Sequence, residues 1–142
     1  MTPARRARLF AAAAALVTVP LGLGSRCYGA ALPRFVAEYA GDALYATLVF
    51  FLLLFAAPRA PRARLAAVAF GLSALVELSQ AWHVAPLDAA RTTRLGRLVL
   101  GTTFVWSDFP CYAVGAALGF GVAWLALPAP VGNTSISDPR GA

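Results

Sequence analysis

Apolar residues run along this chain in four long blocks, at about 9–25, 40–57, 65–82 and 108–127, and short stretches of arginine, proline, glycine or acid separate them. At 1.5 Å per helical residue such blocks reach roughly 25–30 Å, close to the hydrocarbon thickness of a bilayer. Each block predicts a spanning helix. Prolines bound the second and third blocks in Pro58-Arg59-Ala60-Pro61-Arg62-Ala63-Arg64, where the missing N–H ends one helix and the basic side chains mark a membrane edge. Asp108-Phe109-Pro110 opens the fourth, with Asp as N-cap and proline in the first turn.

Between the blocks the pattern weakens. Residues 25–41 and 83–93 read as polar loops. Residues 94–106 hold apolar side chains but too few to cross, and predict a short interfacial or re-entrant helix. Residues 128–142, rich in Pro, Gly, Ser and Asn, predict a disordered tail. The expected fold class is therefore all-α, a polytopic transmembrane helical bundle of four spans plus one short helix before the last span, forming a single domain over 1–127.

Composition agrees with this pattern. The chain of 142 residues is 60% hydrophobic and 13% charged, with a mean hydropathy of +0.70, more apolar than soluble domains of this size. Its net charge of +6 comes with 12 basic residues, all arginine, clustered between apolar runs. Such clusters are topology signals and not a nucleic-acid footprint, so the bilayer is the expected partner. The absence of lysine is read as base composition of the gene. An Arg5, Arg6, Arg8 cluster before the first block fits either a retained helix or a signal peptide. Ser25-Arg26-Cys27-Tyr28 offers no small-x-small cleavage site, which favours the retained helix.

Four spans bring both termini to one side, with seven arginines there against five on the other, so the positive-inside rule predicts cytoplasmic N- and C-termini. Two cysteines, Cys27 and Cys111, and a single histidine, His83, make no metal or dithiol motif. No metal, no cofactor and no Cys27–Cys111 disulfide is expected. Gly115 and Gly119 form a small-residue step suited to close helix packing within the monomer.

Glu77 stands out because it lies inside the third block, where an acid at a helix centre costs roughly 2.5–3.5 kcal/mol on insertion scales. It needs partners. Ser73 and Gln80 share its helix face, and the topology brings Arg26, Asp42, Asp108 and Tyr112 to the same membrane level. Arg26 and the loop residues Arg91 and Arg94 are its expected cationic neighbours from other segments, although a purely structural salt bridge to any of them would itself be costly to bury. Each has a plainer role: Asp42 and Asp108 as helix caps, the loop arginines as anchors to lipid phosphate, and Gln80 as an interhelical hydrogen-bond donor.

Taken in order, Ser25-Arg26, Phe35 to Tyr45, Glu77-Leu78-Ser79-Gln80, Arg91 to Gly101, Phe104 to Asp108 and Tyr112 to Gly115 resemble the bacterial membrane family catalogued as domain of unknown function 2809. Tyr45 stands where that family usually has Trp, and Ala81-Trp82 replaces a typical Leu-Tyr. The order of Glu, Gln, Arg and Asp is also remotely similar to the VanZ-like group, linked to teicoplanin resistance and the cell envelope. The resemblance implies a multi-pass protein of the bacterial cytoplasmic membrane and brings no settled activity.

Three functions fit these residues. The first is an outward-facing pocket binding an anionic lipid or cell-envelope precursor, with Arg91, Arg94 and Arg97 attracting phosphate while Glu77, Gln80 and Asp108 orient polar groups. The second is an intramembrane enzyme acting on a lipid-linked phosphate or ester, with Glu77 or Asp108 as the catalytic candidate. The third is a small proton-coupled transporter. No Ser-His-Asp order, metal set or phosphate-binding glycine loop supports catalysis, so binding ranks first.

Overall fold

The computed structural model describes residues 1–128; the expected tail falls almost wholly on 129–142, outside the described residues. Six α-helices form: α1 Pro3–Cys27, α2 Arg34–Ala56, α3 Arg62–Gln80, α4 Ala85–Arg91, α5 Arg94–Leu100 and α6 Asp108–Ala126. Four of them, α1, α2, α3 and α6, are long and apolar enough to cross a membrane. The fold is an all-helical bundle of four spans, with no strand among the described residues.

Helix boundaries depart from the hydropathy blocks for local reasons. The first span starts at Pro3 because Thr2 caps it, accepting from the Arg5 N–H at 3.3 Å, with proline in the first turn where its missing N–H costs nothing. It runs past Pro20 to Cys27. The expected loop at 25–41 shrinks to a single 3₁₀ turn at Gly29–Ala31, and α2 begins at Arg34. Asp42 is thus no cap: it is well inside α2. The expected loop at 83–93 contains α4, whose Pro86 and Asp88 fall in its first turn. The short helix expected at 94–106 ends at Leu100, because Gly101 takes φ 65° and ψ −177°, a conformation that only glycine adopts without strain. Ser107, not Asp108, is the N-cap of α6, and Asp108 is its first helical residue.

The central element is α2, packed against α1, α3 and α6, while α3 also packs on α6. Its Phe50, Phe51 and Leu54 are almost wholly buried among small residues: Ala11 of α1, Ala69 of α3, and Ala116 and Ala123 of α6. Large apolar side chains such as Leu16, Leu52, Leu75 and Leu125 point outward, as lipid-facing residues should. The Gly115 step brings α2 and α6 together. A Cβ built on Gly115 would stand 1.9 Å from the Ala43 carbonyl oxygen, and one on Gly119 would stand 2.7 Å from the Phe50 ring. That closeness lets the Thr47 hydroxyl donate to the Gly115 carbonyl at 2.8 Å across the seam.

Three arginines stitch helix ends to their neighbours. Arg8 of α1 donates to the Phe55 carbonyl at the end of α2, at 3.2 Å. Arg62 at the start of α3 donates to the Leu127 carbonyl at 3.2 Å and to that of Pro128, both just past α6. Arg91 donates to the Ser79 carbonyl at 2.8 Å and the Trp82 carbonyl at 3.3 Å, at the end of α3. The last carbonyls of a helix lack partners within it and carry the negative end of its dipole, so a cation there is favourable twice over.

Candidate functional site

The end of the bundle remote from the N-terminus gathers the last turn of α1, the early turns of α2, the last turns of α3, helix α5 and the first turns of α6. There they enclose a cavity of about 320 Å³. Four of the chain's six acidic residues, Glu38, Asp42, Glu77 and Asp108, line it together with Arg26 and Arg97. Acids therefore outnumber cations on its walls.

Glu77 forms the floor and is 1% exposed. One carboxylate oxygen accepts from the Gln80 amide at 3.0 Å and the Tyr112 hydroxyl at 2.8 Å; the other accepts from the Val105 backbone N–H at 2.6 Å. These are three donors from α3, α6 and the loop between α5 and α6. Among the described residues no arginine pairs with it, although Arg26, Arg91 and Arg94 were expected as its neighbours. Hydrogen bonds from neutral groups satisfy the carboxylate without the cost of desolvating a second charge. Gln80 serves Glu77 on its own helix, so its bond is intrahelical and not the interhelical one expected.

Arg26 instead pairs with Asp42 at 3.0 Å, its side chain half exposed at the rim. The guanidinium lies across Gly41, where an added Cβ would stand 2.9 Å from Nε. Asp108, at the start of α6, faces the cavity with a single long bond from the Ser107 hydroxyl at 3.4 Å. Its carboxylate keeps most of its acceptor sites open. Arg97 also reaches the cavity and has no ion pair among the described residues.

The structure thus brings together Arg26, Asp42, Glu77, Gln80, Arg97, Asp108 and Tyr112, and leaves out two of the nine binding residues expected from sequence. Arg91 is buried at the end of α3, held by carbonyls and by Asp88 at 3.3 Å. Arg94 is exposed at the start of α5, away from the cavity. His83 is exposed and paired with Asp88 at 3.5 Å. No three His, Cys, Asp or Glu side chains form a metal-binding group among the described residues.

Two contributions were not foreseen. Tyr45 donates its hydroxyl to the Val99 carbonyl at 3.0 Å, tying α5 over the cavity. The Val105 N–H depends on how the 101–107 loop folds, and no residue type signals it. Gly101 carries a usable signal, a glycine just past a short helix. Its bare Cα leaves room for Gln80, whose amide nitrogen would stand 2.5 Å from any Cβ there.

Four bilayer-length helices with a polar cavity at one common end define a small multi-pass membrane protein. Residues 31–116 match the family described as Protein of unknown function (DUF2809), and the chain belongs to it. The matched segment holds every cavity residue named above except Arg26. No solved structure matches the chain.

Proposed function

We propose that this protein binds the polar head of an anionic lipid or cell-envelope precursor in the cavity. The observation that carries the reading is the division of its lining. Arg26 and Arg97 stand at the exposed rim, whereas Glu77, Gln80 and Tyr112 lie buried at the floor, with Asp108 beside them. Arginine offers a forked donor to phosphate, and open carboxylate sites accept from hydroxyl or ammonium groups. A head group with a phosphate outside and hydrogen-bond donors within matches both. Its size also fits, since ligand sites of about 300 Å³ and above hold small molecules.

Binding ranks above catalysis on the same residues. The lining contains no serine, cysteine or histidine, its two threonines, Thr102 and Thr103, have no histidine there to activate them, and three of the sites on Glu77 are already used by the protein's own donors. Calorimetry with glycerol phosphate on the full-length protein in detergent tests the reading. Arg97→Ala and Asp108→Asn are each expected to weaken binding about tenfold or more, since a charged hydrogen bond contributes about 1.5–3 kcal/mol. Equal binding by the parent and both variants would remove the cavity as the site.

The reading sets the cavity on the outer face of a bacterial cytoplasmic membrane, with both termini cytoplasmic, in line with the arginine count and with the remote VanZ-like similarity. Arg94 and Arg59 are exposed at opposite ends of the bundle and report this orientation. With Cys27 and Cys111 replaced by serine, an impermeant maleimide added to intact cells is expected to label Arg94→Cys and to spare Arg59→Cys. The reverse pattern would turn the protein over.

A further inference from the structure

A second, apolar cavity of about 150 Å³ lies beneath α5, in the cleft between α1 and α2. Its walls are Thr18, Val19, Gly22 and Leu23 from α1, and Leu44 and Leu48 from α2. Leu98 and Val99 of α5 roof it. This groove shares Arg26, Gly41, Tyr45, Leu98 and Val99 with the polar cavity, so the two spaces meet at one junction. By contrast the apolar groove between α2 and α6, around Phe35 and Val114, shares no residue with it.

The junction is built for a change of polarity. Gly41 lacks the Cβ that would meet Arg26, so the guanidinium lies flat at the boundary with its side chain half exposed. Tyr45 turns its hydroxyl to the Val99 carbonyl, which fixes α5 as a lid above the cleft without closing it. From Arg26 to Thr18 the cleft follows α1 for eight residues, about 12 Å at 1.5 Å each, most of the depth of one leaflet.

We infer that the polar cavity opens sideways into the bilayer beneath α5, and that its ligand is an amphiphile whose hydrocarbon chain lies in the α1–α2 cleft while Arg26 holds the phosphate at the junction. This rests on the head-group reading above and narrows it: a water-soluble phosphate would leave the apolar cleft empty.

The test uses full-length protein in vesicles containing phosphatidylglycerol that carries a photoreactive diazirine in one acyl chain. Irradiation followed by peptide mapping is expected to place cross-links on Leu44, Leu48 and Leu98 above the level on lipid-facing residues such as Leu75 and Leu125. Gly22→Leu, which fills the cleft from α1, is expected to reduce those cross-links at least fivefold. Gly22→Ala should not, because a Cβ there meets only Leu44 at an ordinary 3.8 Å. Val19 lines the cleft and not the polar cavity, so Val19→Trp is the second blocking variant and serves if Gly22→Leu fails to fold. Cross-links spread evenly over the lipid-facing surface, or unaltered by either blocking variant, would overturn the inference. Glycerol phosphate calorimetry on the same variants separates the two readings. Retained binding with evenly spread cross-links leaves the polar cavity standing and removes the groove; loss of both signals in the parent removes both.

Discussion

Gly115→Ala is expected to destabilise the bundle by about 2–4 kcal/mol, the largest effect of any single methyl addition to α6. The new Cβ would stand 1.9 Å from the Ala43 carbonyl oxygen, and backbone cannot rotate away as a side chain would. Relief requires α6 to move off α2, which also breaks the Thr47–Gly115 bond and loosens the packing around Phe50. Gly121→Ala is the control on the same helix: nothing lies within 4 Å of its added Cβ. Helix propensity alone should then make Gly121→Ala neutral or more stable by up to about 1 kcal/mol. Thermal unfolding in detergent distinguishes them, and equal midpoints for the two variants would show that the α2–α6 seam does not depend on Gly115.

Glu77→Leu ranks second, at about 3 kcal/mol. It would leave the Gln80 amide, the Tyr112 hydroxyl and the Val105 N–H without their acceptor, and each buried unpaired donor costs about 1–3 kcal/mol, less where it can turn to the cavity. Glu77→Gln should cost far less. One oxygen can still take the Val105 N–H, while the Gln80 amide flips and the Tyr112 hydroxyl accepts instead of donating. Hydrogen exchange gives the sharper readout, because only the Val105 bond ties the 101–107 loop to α3. Amide exchange at Val105 is expected to speed up at least tenfold in Glu77→Leu and by much less in Glu77→Gln. Matching exchange and stability in the two variants would make Glu77 incidental to the fold.

The sequence made the four spans and the level of the polar cluster readable, because hydropathy blocks and proline boundaries act over neighbouring residues. Glu77 was conspicuous for the same reason. Gln80 and Tyr112 were placed beside it for that reason, whereas the Val105 N–H was not, since a backbone donor leaves no trace in composition. Asp42 looked like a cap because it borders an apolar run, yet α2 continues eight residues before it through Arg34 to Gly41, where amphipathic positions line the cavity. Arg91, Arg94 and Arg97 formed one cluster in sequence. Arg91 ends α4 while Arg94 and Arg97 lie on α5, and of the three only Arg97 reaches the cavity.

The carbonyl-capping arginines change the meaning of the lysine-free composition. A guanidinium presents several N–H groups in a plane, and Arg62 and Arg91 each use theirs on two carbonyls belonging to the end of another helix. A lysine ammonium is a single, strongly hydrated point that would have to shed water to sit in either place. At those two positions base composition is therefore a sufficient source of arginine but geometry is a reason to keep it. The bundle's helix ends are spliced by a chemical group that the nearest basic substitute does not replace.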